Sequence, residues 1–124
     1  MSVVVIKSGA LVIQDPSDSK VYVFDWDGDN LKPGVTIATN LFTIKAIAPS
    51  TSDTALVKDA EAMLTAAEAS TALERTVTLD NRATRLRLTV GTLGQTYEIA
   101  NKIVSSETPS QTKERSFRLL IQNL

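Results

Sequence analysis

Apolar residues along most of this chain recur at every second position, the spacing of strands rather than helices. Residues 3–6 and 10–13 are short β-branched and aliphatic runs separated by Ser8-Gly9, and each predicts a strand bounded by a turn. Asp15 to Ser19 is a loop, with side chains that bond locally to backbone and a proline that cannot join a ladder. Residues 21–26 alternate aromatic with aliphatic side chains, which predicts a strand with Tyr22, Phe24 and Trp26 facing inward. The acidic run Asp27-Gly28-Asp29-Asn30 then turns the chain, and Pro33-Gly34 sets a second turn. Residues 35–38 and 41–47 predict two further strands, with Phe42, Ile44 and Ala46 on one face opposite Thr43 and Lys45.

The period changes in the middle. Between residues 54 and 73 the apolar positions are Leu56, Ala60, Met63, Leu64 and Ala67, a helical stripe in an alanine- and glutamate-rich segment. Ser52 or Asp53 stands where a cap would be needed. So small a stripe buries little, and the predicted helix lies on the fold rather than at its centre.

Strict alternation returns in the last third. Leu86, Leu88 and Val90 share one face of residues 84–90, opposite Arg85, Arg87 and Thr89. Tyr97, Ile99 and Ile103 share a face of residues 97–105, and Phe117, Leu119 and Ile121 a face of residues 114–121. Three such strands in succession predict an antiparallel meander with one wet face. Gly91 and Gly94 before Tyr97 predict a tyrosine corner, in which the phenol ties its strand to the preceding turn. Together these elements predict a mainly β fold: an Ig-like antiparallel sandwich of about seven strands with one helix inserted over residues 54–73. Residues 1–13 stand before it as an apolar arm, and residues 14–124 form the domain.

Composition narrows the chemistry. A chain of 124 residues makes one domain. Its net charge of −1 supplies no basic field for a nucleic acid. Cysteine and histidine are both missing, which excludes disulfides, thiol nucleophiles, histidine acid–base chemistry and zinc sites built on those ligands. The apolar opening lacks the basic segment and cleavage pattern of a secretory signal, and no apolar run is long enough to span a bilayer. No cofactor is expected.

Residues 23–31, VFDWDGDNL, resemble the first motif of the haloacid dehalogenase superfamily, which would make Asp25 a nucleophile and Asp27 its acid. A phosphatase-like fragment is therefore the alternative of another class. Against it, Asp29 stands where that family has threonine or serine, and only a short stretch leads to a supposed second motif at Thr39. That separation is too small for the crossover a parallel sheet requires. The acids beyond Asp80 are Glu98, Glu107 and Glu114, so the carboxylate pair for magnesium is missing. As an EF-hand loop the stretch fails at Asn30 and Thr36, leaving a weak calcium turn or a plain solvated one. Arg82, Arg85 and Arg87 line the outer face of one strand; a phosphate or glycan site could be built from them, but the row reads rather as solvated or as paired across a ladder with Glu98. Lys58 and Asp59 read as the exposed face of the helix.

The arm carries the other candidate chemistry. Val3, Val4, Val5, Leu11 and Ile13 would leave an open apolar edge on a monomer, either as the first strand of the sandwich or as a segment added to a neighbouring subunit. Met63 on the inserted helix completes the candidate interface.

Several stretches together resemble small virion proteins of tailed bacteriophages of the fibre-to-tail adaptor type. They are Asp15-Pro16, Phe24-Asp25-Trp26, Gly34-Val35-Thr36-Ile37, Gly91-Thr92-Leu93-Gly94 with Tyr97, Asn101, and Arg115-Ser116. The resemblance covers most of residues 13–121 and departs at Val90, where the family has a second glycine. It implies a non-enzymatic structural protein of the virion that binds tail or fibre components, as a homo-oligomer, without nucleic acid or membrane. A capsid decoration or neck protein is the alternative within the same class.

Overall fold

The structure, a computed structural model, describes residues 3–6, 9–27 and 31–124. The chain runs β1 (Val3–Ile6), β2 (Leu11–Gln14), β3 (Ser19–Asp25), β4 (Ile37–Ala48), β5 (Leu56–Met63), α1 (Ala66–Leu73), β6 (Ala83–Val90), β7 (Thr96–Ser105) and β8 (Thr112–Ile121). These strands form two four-stranded sheets, β1-β3-β6-β5 and β2-β8-β7-β4, packed as a sandwich. The ladders are antiparallel except at one side, where β1 runs parallel to β3 and β2 parallel to β8. The acidic turn expected at residues 28–30 lies outside the described residues.

Burial of β3 organises the core. Tyr22, Phe24 and Trp26 are buried as the alternation requires. Phe24 lies 5.7 Å from Phe117 and 5.8 Å from Phe42 between ring centres, and Tyr22 lies 5.1 Å from Phe117. These tilted contacts join one sheet to the other. A second, smaller core forms where α1 covers the opposite face of the first sheet, over Val23, Leu64, Ala69, Val77 and Ala83. Tyr97 makes the expected corner: its hydroxyl accepts from the Thr92 amide at 3.0 Å and donates to Asp53 at 2.6 Å.

The middle of the chain differs from the helix its spacing predicts. Residues 56–63 are a strand, and the helix occupies only Ala66–Leu73. Its cap is Thr65, not Ser52 or Asp53: Thr65 accepts from the Glu68 amide while the Glu68 carboxylate accepts from the Thr65 amide. A register shift between Asp59 and Ala62, with Ala60 at φ 52°, puts an extra residue in β5. The bulge reverses the alternation, so Leu56 and Met63 both reach the main core. Seven residues is also close to two helical turns, which is why the spacing imitated a helix.

Three smaller expectations also change. Residues 35–38 and 41–47 contribute to a single long strand, β4, with a register shift between Ile37 and Thr39. The last three strands are not one meander, because β6 belongs to the first sheet and only β7 and β8 form a hairpin. Val90, expected inward, is exposed at 48% with φ 67°, a left-handed conformation that turns its side chain away from Leu86 and Leu88.

This corner makes a stability prediction. Val90→Gly should raise the unfolding free energy measured in urea by about 1 kcal/mol, since it relieves a left-handed β-branched residue and loses little burial. Gly91→Ala should lower it by roughly 2 kcal/mol or more. Its φ is +95° and the added Cβ would lie 2.8 Å from Ile121 Cγ1.

Candidate functional site

The two aspartates that suggested catalysis sit where β3 leaves the sheet, and both are held by arginines. Arg75, one residue past the end cap of α1, reaches Asp25 at 2.9 Å and Asp27 at 3.1 Å. Arg82 Nε donates to Asp27 at 2.6 Å, and its other nitrogens donate to the carbonyls of Leu31, Lys32 and Val35. Partial burial pushes the Asp27 carboxyl up, but the hydrogen bonds from Arg82 and Arg75 outweigh it and hold the group below its ordinary value. A nucleophile and its acid partner need free oxygens facing a substrate. Here the carboxylates and Arg82 fasten the segment entering β4 to the start of β6, on a sandwich rather than a parallel α/β sheet. Among the described residues no group of three or more acidic side chains converges as a metal site, and Asp29 lies outside them.

The arginine row divides on folding. Arg82 is buried, whereas Arg85 pairs with Glu68 at 3.3 Å and Arg87 with Asp59 at 2.7 Å. Glu98, the expected partner, is on β7 in the other sheet. Asp59 and Lys58 belong to β5 rather than to a helix, and Lys58 pairs with Glu61.

The interface candidates separate by alternation. Val3 and Val5 of β1 and Leu11 and Ile13 of β2 are exposed. Val4 is half-buried against the main core, and so is Met63, which belongs to β5 and not to the helix. Four residues join β1 to β2, so the edges of both sheets lie on the same side of the sandwich. The edges on the other side are blunted: β5 carries the bulge and three charged residues, and β4 carries Lys45 and two register shifts. β1 (VVVI) and β2 (LVIQ) have neither charge nor bulge. Beside β1 an open groove of about 530 Å³ runs to α1, lined by Val3, Val21, Val23, Leu64 and Ala72, with Glu74 and Arg85 at its rim.

Two buried amides position these elements: Gln14, which no motif singled out, and Asn101, which the resemblance named without a role. Gln14 accepts from Tyr22 Oη at 2.7 Å and donates to the Leu88 carbonyl at 3.0 Å, which anchors β2 to the opposite sheet. Asn101 accepts from Trp26 Nε1 at 2.8 Å and from Thr84 at 2.6 Å. Alternation was the available signal, since both amides occupy inward positions on their strands.

The aspartate–arginine cluster makes a prediction of its own. Because the folded Asp27 carboxyl titrates below its unfolded value, its stabilisation is present above about pH 4 and is lost as pH falls through the lower folded value. Asp27→Asn should therefore flatten the acid limb of a stability–pH profile. Arg82→Met, which leaves Asp27 with Arg75 alone and strands three carbonyls, should cost roughly 3 kcal/mol at pH 7 in urea unfolding.

No curated protein matches the chain. The family model described as podophage GP4 fiber-tail adaptor protein gp77 matches residues 14–120, from the last residue of β2 to the penultimate residue of β8. That span contains the buried Trp26, the Tyr97 corner and Asn101, all of which shape the sandwich. The chain belongs to this podophage fibre-tail adaptor family and is a structural component of the phage virion.

Proposed function

We propose that this protein is a non-enzymatic adaptor that joins tail and tail fibres through protein–protein contacts, acting as a homo-oligomer. The family match over residues 14–120 carries the reading. The fold supports it as an Ig-like scaffold. Sheet orders β1-β3-β6-β5 and β2-β8-β7-β4 follow the two-sheet Ig arrangement, and the tyrosine corner stands at the turn between β6 and β7.

Residues 1–13 serve in this reading as the attachment arm in front of the adaptor domain at residues 14–124. Their strands pair within the chain's own sheets, so the contact uses their outer edge. β1 offers an uncharged edge for an added strand, and the groove beside it takes side chains of the same segment. Main-chain hydrogen bonds then give affinity and the groove gives selectivity.

Val3 and Val5 test this edge better than Val4, whose charged variants would disturb the core. Adding purified protein to adaptor-free particles and then adding fibres should yield fibre-bearing particles in co-sedimentation. Val3→Asp/Val5→Asp should abolish fibre or particle binding while leaving the thermal melt within a few degrees of the parent. Undiminished loading by a protein lacking residues 1–13 would refute the arm.

A further inference from the structure

The outer face of the second sheet is not covered by any described element, and its charges are arranged unlike those of the first sheet. On the first sheet Arg85 and Arg87 pair with Glu68 and Asp59. On the second sheet, inward burial of Phe117 and Leu119 on β8, and of Ile99 and Ile103 on β7, turns Glu98, Lys102, Glu114 and Arg118 outward. Register sets Glu98 beside Arg118 and Lys102 beside Glu114. None of the four makes an ion pair or side-chain hydrogen bond within the chain among the described residues.

We propose that this face docks on the same face of a second copy of the chain. The sign pattern selects that occupant. Consider a two-fold axis parallel to the strands, between β7 and β8. It places Arg118 opposite the second copy's Glu98, and Glu114 opposite its Lys102, in both directions. A face with this arrangement is complementary to itself, as an isologous contact requires. Ala100 and Ser116, neighbours across the ladder between the two charged rows, are small enough for the sheets to approach. Leu11 and Ile13 border the same face, beside Arg118 and Leu120, and would lose water on docking. The inference extends the homo-oligomer in the adaptor reading by naming its surface, yet it uses neither the β1 edge nor any tail or fibre component.

Sedimentation of the full chain in low salt should show a monomer–dimer equilibrium that weakens as salt is raised. Glu98→Arg and Arg118→Glu should each weaken self-association by roughly a hundredfold, because each sets like charges against each other. An equimolar mixture of the two variants should dimerise again, since one then presents two positive groups where the other presents two negative ones. This mixing recovers association without altering either fold. A wild-type chain that stays monomeric, single variants that dimerise as well as the parent, or a mixture that stays monomeric would each overturn the proposal. Failure here leaves fibre loading through β1 untouched, and a protein that fails to load fibres can still show the full mixing result.

Discussion

The indole nitrogen of Trp26 is the constraint around which the sandwich closes. The ring is buried at the end of β3, and a buried indole N–H left without an acceptor costs about 1–3 kcal/mol. Asn101, on β7 of the other sheet, supplies the acceptor and takes a second bond from Thr84 of β6. Its amide nitrogen lies 3.3 Å from both Asn40 Oδ1 and the Leu41 carbonyl of β4. One carboxamide on β7 therefore ties its own strand to β4, β6 and the end of β3, drawn from both sheets. Slip of β3 or β7 by one residue would bury an unpaired donor and turn the aromatic face outward. Arg115 closes the outside of the same site, 4.8 Å above the indole and bonded to the Asp25 carbonyl.

How much of this was legible in the sequence depends on phase. β3, β7 and β8 keep a strict alternation, and their inward residues could be named without a structure. β5 could not be read, because its bulge changes phase in mid-strand, and a strand that changes phase over seven residues repeats like a helix. β4 shows the same effect at lower cost: its shift near Ile37 made one strand look like two. Val90 failed for a different reason, since alternation describes side-chain direction only while φ stays negative. Neighbouring strands in sequence also need not pair. The corner at Gly91 to Tyr97 carries the chain from one sheet to the other, and periodicity alone does not distinguish that passage from a hairpin.

Sites were legible in proportion to how local they are. The acids at Asp25 and Asp27 are conspicuous, but their meaning rests on Arg75 and Arg82, about 50 residues further along the chain. Without those partners the pair imitates a catalytic motif; with them it is a fastening between β3, the segment before β4 and the start of β6. The β1 and β2 edges are the opposite case. Their lack of charge and bulge is a property of four residues each, readable directly, although only the sheet order shows that both lie on one side of the sandwich.

An adaptor has to hold two partners at a fixed geometry, which places its chemistry in surfaces and its rigidity in the core. A sandwich separates these roles physically. Its interior is fixed by aromatic contacts and by Asn101, Gln14 and Arg82, so substitutions on an edge or an outer face leave the relation between surfaces intact. Edges and faces also recognise by different means. An edge offers backbone donors and acceptors that orient a strand whatever its sequence, whereas a face offers side chains whose signs choose among partners. The charged face proposed for a second copy and the uncharged edge proposed for an added strand lie on different sheets of one body, so either can be altered without the other.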